Sequence, residues 1–215
     1  MYSSINITAN RIKKLKIQGA RNVAIAAITT LKESVKKTKT TNKEEFLKEL
    51  NTARNIFFKT RSTEPLMRNG LRYIIQEVES CKTTSIQGLV AIVSDVANKF
   101  LEQLEGSKRK IAYIGSKRIS DGLKILTHCH SSTVTNMLRK ARLDGRNFEV
   151  ICTESRPVFQ GRITAKEMLD LGIETTLIVD SAVRVFMNKV DLVFVGADAI
   201  TSEGNVINKI GTSLI

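Results

Sequence analysis

The chain has 215 residues, 42% of them hydrophobic and 5% aromatic, and carries 34 Lys/Arg against 21 Asp/Glu for a formal net charge of +13. Its longest apolar stretches are strand-sized and its N-terminus lacks a basic region followed by an apolar one, which excludes a spanning helix and a signal peptide and points to the cytoplasm. The three cysteines, Cys81, Cys129 and Cys152, are odd in number and irregularly spaced, so neither a disulfide framework nor a four-ligand zinc site is expected.

Helical spacing runs first through Ile12, Leu15, Val23, Ala26, Ala27 and Leu31. It resumes through Phe46, Leu47, Leu50, Ala53 and Phe57, then through Leu66, Leu71, Ile74 and Ile75, and fills a long stretch from residue 86 to residue 104. Between the first two runs, Lys36 to Lys43 is polar and charged with no apolar face, and reads as a solvated loop. Residues 1–123 hold 23 Lys/Arg against 11 Asp/Glu, and residues 124–215 hold 11 against 10. An excess confined to the helical part suits an acidic partner or a phosphorylated metabolite. The lysines are scattered and have few interleaved aromatics, which favours solvated helix faces and disfavours nucleic acid.

Past Gly115 to Gly122 the pattern changes. Lys124–His128 ends in Cys129; residues 149–153 end in Glu154-Ser155-Arg156; residues 175–179 end in Asp180-Ser181; Leu192 to Gly196 ends in Ala197-Asp198. Helical spacing fills the gaps, with Val134, Met137, Leu138 and Ala141, then Ile163, Met168, Leu169 and Leu171, then Ala182, Val183 and Phe186. Strand and helix in alternation predict a parallel sheet with right-handed crossovers. The fold class is therefore α/β: a helical N-terminal domain over residues 1–115, then a Rossmann-like domain over 116–215. Ligands bind beyond the carboxyl ends of such strands, where Cys129, Arg156, Asp180 and Asp198 should converge. The unbroken run Leu192 to Gly196 predicts a strand covered on both faces. Asp180 reads as a cap for the helix after it, and Cys152, inside a strand, as structural. His128-Cys129-His130 falls short of a metal site, because neighbours on extended backbone point to opposite sides.

Five motifs carry a family resemblance: Ile125-Leu126-Thr127-His128-Cys129; Glu154-Ser155-Arg156-Pro157 with Gln160-Gly161; Asp180-Ser181-Ala182; Gly196-Ala197-Asp198; and Asn208-Lys209-Ile210-Gly211-Thr212. With Lys16-Ile17-Gln18-Gly19-Ala20 and Thr60-Arg61-Ser62-Thr63 they span essentially the whole chain. The sequence resembles the superfamily that joins the alpha, beta and delta subunits of translation initiation factor 2B, methylthioribose-1-phosphate isomerase and archaeal ribose-1,5-bisphosphate isomerase. The stretch Gly161 to Glu167 is most similar to the last branch. The resemblance implies an aldose–ketose isomerase converting ribose 1,5-bisphosphate to ribulose 1,5-bisphosphate in AMP salvage, with Cys129 and Asp198 catalytic and no cofactor or metal. It puts Gly19, Ala20, Arg61, Arg156, Gln160, Asn208 and Lys209 on the family's substrate-binding positions, and Arg21 joins them as a candidate cation. It also implies a homo-oligomer of dimers built into larger rings such as a hexamer, and leaves AMP open as an activator.

The chemistry agrees with those assignments. Isomerisation needs one group to take a carbon-bound proton and another to move protons between oxygens. Helix amides near Ser131-Ser132 should favour the Cys129 thiolate, and an apolar strand end should disfavour ionisation of Asp198. Two phosphates need two anion sites, for which Gly19-Ala20 before a helix, the turn at Ser131-Ser132, and Arg21, Arg61, Arg156 and Lys209 are candidates. Two departures stand out: Gln18 occupies a position usually held by arginine, and Ser62 one usually held by proline. Gln18 and Ser131-Ser132-Thr133-Val134 favour a second expectation, a non-catalytic regulatory subunit like those of initiation factor 2B; methylthioribose-1-phosphate isomerase is a third. The apolar ending Ser213-Leu214-Ile215 suggests a helix cut short, hence a fragment of a longer chain.

Overall fold

Apolar residues spaced three and four apart build five helices: α1 (Tyr2–Lys13), α2 (Ala20–Val35), α3 (Lys43–Phe58), α4 (Pro65–Ser80) and α5 (Ile86–Ser116). The computed structural model describes residues 2–61 and 63–215, so the Ser62 departure lies outside the described residues. Two compact units divide at Leu104/Glu105, inside α5, whereas the sequence boundary at 115/116 falls at that helix's end.

In the first unit Ile5, Ile12, Ile28, Leu31, Phe46, Leu50, Phe57, Leu71, Ile74 and Leu89 are fully buried in one core. Each such side chain contributes roughly 1.5–3 kcal/mol relative to exposure. The helical spacing read as continuous through Ile12 and Leu31 is broken: Leu15 and Gly19 both take positive φ, 56° and 82°, and separate α1 from α2. Lys43 also departs from the solvated-loop reading. It opens α3, and its ammonium donates to the Cys81 carbonyl (2.6 Å) and the Glu79 carbonyl (3.1 Å) at the end of α4, where a cation meets the negative pole of a helix. Asn42 caps α3 by accepting from the Glu45 amide at 2.9 Å. Asn42→Ala should cost about 1 kcal/mol, read as a lower urea midpoint with an unchanged m-value.

The second unit carries β1 (Lys124–His128), α6 (Ser132–Leu143), β2 (Glu149–Thr153), α7 (Gln160–Asp170), β3 (Glu174–Ile178), the short α8 (Val183–Phe186) and β4 (Leu192–Val195). The strands form one parallel sheet in the order β3-β2-β1-β4, with Thr127 opposite Cys152 and Phe194. Alternation along the strands sends Ile125, Val150 and Cys152 to one face, packed with Val134 and Leu138 of α6 and Met168 of α7. Leu126, Ile151 and Ile178 go to the other, with Val183.

One expectation is corrected here. Within the described residues Val193 of β4 is 40% exposed, so its face of the strand is not covered. After β4, β5 (Ala199–Ile200) and β6 (Val206–Ile207) pair as an antiparallel hairpin, which the sequence pattern does not assign. Its turn uses Gly204 at φ 83° and an Asn205 amide donating to the Thr201 hydroxyl.

Candidate active site

β1 delivers its last side chains to the carboxyl edge of the sheet, and there the backbone turns sharply. Cys129 takes φ 68°, Ser155 61° and Phe159 59°. Cys129 and Ser155 follow the ends of β1 and β2, and Phe159 is the N-cap of α7; such left-handed non-glycine conformations cost on the order of 1–3 kcal/mol each and must be enforced by the surroundings. Those surroundings are visible at Cys129. Its amide donates to Ser155 Oγ (2.7 Å), and its carbonyl accepts from Thr164 Oγ1 (2.9 Å) on α7.

Asp180 is the second anchor. It does not cap the helix that follows it. Its two carboxylate oxygens accept from the Ser155 amide (2.8 Å) and the Arg156 amide (2.7 Å), clamping the turn after β2. The Arg156 and Arg162 guanidinium groups both lie over the Phe159 ring, 4.7 Å and 4.1 Å from its centre, and that contact helps hold Arg156 at the turn. Gln160 opens α7, and its Oε1 is buried with no hydrogen-bond partner.

Asn208 and Lys209 sit half-buried on the segment after the β5–β6 hairpin. Asn208 Nδ2 donates to Thr212 Oγ1 at 3.1 Å, and Thr212 Oγ1 in turn donates to the Lys209 carbonyl at 2.7 Å. Gly196, at the end of β4, closes this side: a Cβ there would lie 2.9 Å from Ser131 and 3.7 Å from Asn208 Oδ1.

Burial pushes the Cys129 thiol above its ordinary value. The His130 amide and the Lys209 ammonium act to lower it, Asp198 and Asp180 to raise it, and desolvation is the largest influence. Lys209, Asp198 and Asp180 therefore all act on the Cys129 sulfur. The expectation that helix amides would leave the thiolate favoured is overturned, because half-burial outweighs one amide and one ammonium. Asp198 also departs from expectation. It is exposed rather than set in an apolar strand end, with its amide paired to the Ile207 carbonyl at 2.8 Å. Cys152 is fully buried, and its thiol is pushed up to about 12 by desolvation, as suits a structural residue.

The remaining candidates belong to the first unit. Gly19, at φ 82°, is the N-cap of α2 and supplies no capping side chain, Ala20 is the first helical residue, and Arg21 is half-buried. Gln18 turns back, its amide donating to the Leu15 carbonyl at 2.8 Å. Arg61 is held by Glu64 at 2.7 Å, and that carboxylate is only 5% exposed.

Sequence reasoning passed over the supports of this site. Ser155, Thr164 and Phe159 carry no chemical signature, and nothing in Glu154-Ser155-Arg156-Pro157 announces a left-handed serine.

Residues 16–215 match the model of the initiation factor 2 subunit family. The chain is 40% identical over 209 residues to ribose 1,5-bisphosphate isomerase of Thermococcus kodakarensis, an alignment covering 96% of this chain and 65% of that protein. It thus spans slightly less than two thirds of that relative's length. Among solved structures it resembles translation initiation factor eIF-2B of Pyrococcus horikoshii, with a TM-score of 0.87 at 28% identity over 100% of this chain and 73% of that one. It also resembles 5-methylthioribose 1-phosphate isomerase of the same organism, with a TM-score of 0.84 at 29% identity over 99% and 62%. With residues 16–215 matched by the family model and 40% identity over 96% of the chain to a member, the chain belongs to the initiation factor 2 subunit family.

Proposed function

We propose that this chain acts as an aldose–ketose isomerase converting ribose 1,5-bisphosphate to ribulose 1,5-bisphosphate. The observation that carries the reading is Cys129: a half-buried thiol on a left-handed turn at a strand end, under the influence of one ammonium and two carboxylates. Similarity to the Thermococcus enzyme supports the choice of substrate.

Because O1 of the substrate carries a phosphate, the ring cannot simply open to a free aldehyde. The bond from C1 to the ring oxygen breaks as that oxygen takes a proton from Asp198. Cys129, as thiolate, removes the proton on C2, and the electron pair forms a C1=C2 enol phosphate. The C2 hydroxyl then loses its proton while C1 gains one, leaving a ketone at C2 and the same atoms overall. Arg156, Gln160, Asn208 and Lys209 are assigned to the substrate, as are Gly19, Ala20, Arg21 and Arg61 of the first unit. The unpartnered Gln160 Oε1 is an acceptor suited to a sugar hydroxyl.

Among the described residues no helix is long and apolar enough to cross a membrane. We assign the activity to the cytoplasm and to a dimer-based homo-oligomer, with AMP as an activator. The test is NMR detection of the C2 ketone from ribose 1,5-bisphosphate, with methylthioribose 1-phosphate as competitor and with AMP present or absent. Turnover of the bisphosphate alone, faster with AMP, is expected. Preference for the methylthio substrate would reassign it. A folded chain that turns over neither would favour a regulatory subunit, the reading supported by Gln18 and Ser131-Ser132-Thr133-Val134.

A further inference from the structure

His128 is 1% exposed, lies one residue before Cys129, and has no part in the proton transfers described above. Its Nε2 is 2.9 Å from the Ile210 carbonyl, which can only accept, so Nε2 carries the proton. In the neutral ring Nδ1 then accepts from Thr153 Oγ1 at 2.6 Å. Thr153 Oγ1 is 3.3 Å from Ser155 Oγ, the oxygen that receives the Cys129 amide. Ser155 Oγ also lies 3.4 Å from His128 Nδ1 and 3.4 Å from the Thr153 carbonyl, so Ser155, Thr153, His128 and Ile210 form one connected cluster, and the Asp180 clamp holds Ser155 in it. Gly211 leaves room for the ring: a Cβ there would lie 3.2 Å from His128 Cε1.

We propose that His128 is a positioning residue, which ties the end of β1 to the segment 208–212 and thereby holds Lys209 beside the Cys129 thiol. Lys209 immediately precedes the residue whose carbonyl His128 grips, and the same imidazole connects through Thr153 and Ser155 to the Cys129 backbone. One buried side chain therefore sets both members of the pair. In its bearing on catalysis the proposal rests on the isomerase reading; the geometry it describes does not.

The test separates the two. Carbamidomethylation of Cys129 is followed by peptide mass spectrometry across pH, which requires no turnover. The charged groups acting on that thiol are Lys209, Asp198 and Asp180. Lys209→Met, which removes the ammonium that acts to lower the thiol, should slow alkylation at pH 8 by ~5-fold. His128→Asn, which loses the reach to Ile210, should slow it similarly, and the double variant should be no slower than either. His128→Gln, whose amide can again donate to Ile210, should recover most of the rate. Gly211→Ala, which crowds the imidazole and at φ 99° also strains segment 208–212, should slow alkylation at least as much as His128→Asn; Thr153→Val, which removes the hydroxyl facing Nδ1, serves as the second variant if His128→Asn does not fold. Unchanged alkylation in a folded His128→Asn chain, full additivity with Lys209→Met, or no effect of Lys209→Met would overturn the proposal. Failure of the isomerase reading would instead show as absent turnover with the alkylation pattern intact.

Discussion

Cys129→Ser should lower turnover of ribose 1,5-bisphosphate by roughly 10²–10⁴-fold, the usual contribution of a positioned acid or base, and leave the unfolding midpoint within experimental error. Serine keeps the size of the side chain and the left-handed turn, since the bonds that enforce φ 68° run through the Cys129 amide and carbonyl and not through its sulfur. What serine lacks is an anion accessible near neutral pH. The pH profile of the parent chain provides an internal check. Burial raises the thiol above its ordinary value, so the thiolate is a minority species at neutral pH and its share grows as pH rises. For a thiolate base, kcat/KM should keep climbing through the ordinary thiol range without an early plateau. A variant that retains parental turnover, or a parental profile that levels off near neutrality, would remove Cys129 from the role of base.

Gly161→Ala should be the most damaging single methyl in the second unit. A Cβ at Gly161 would lie 1.7 Å from the Thr153 carbonyl oxygen and 2.8 Å from its carbon, and both are backbone atoms that cannot swing aside. The start of α7 would have to lift from the end of β2, breaking the Gly161 amide's bond to the Glu154 carbonyl at 3.2 Å. A loss of about 3 kcal/mol or more is expected, at the upper end of overpacking, and urea unfolding should read it as a large drop in midpoint. Activity should fall with it, since α7 carries Gln160 and the Thr164 hydroxyl that holds the Cys129 carbonyl. A Gly161→Ala chain with parental stability would mean that α7 does not pack on β2 this closely.

Much of this molecule is legible in its residues because the governing forces are local. Apolar spacing dictates the helices around Phe46, Leu71 and Ile74, and apolar runs followed by polar residues dictate β1, β2 and β3, whichever partners they find. The alternation of strand and helix then requires a parallel sheet, and a parallel sheet gathers its strand ends at one rim, so Cys129 and Asp180 could be grouped from sequence.

What depended on contacts between distant segments was not legible. Whether the Val193 face of Leu192–Val195 is covered depends on which distant segments pack against it, and no property of the strand itself encodes that. Whether Asp180 caps a helix or clamps Ser155 and Arg156 depends on which loop folds over it, since a carboxylate accepts from either set of amides equally well. The state of the Cys129 thiol is a balance of burial, one amide, one ammonium and two carboxylates, contributed by segments as far apart as β1 and residue 209. Local sequence therefore determined the elements and their chemistry, while tertiary structure decided each group's charge, exposure and partner, because those are set by the sum of neighbours that only the folded chain brings within a few ångströms.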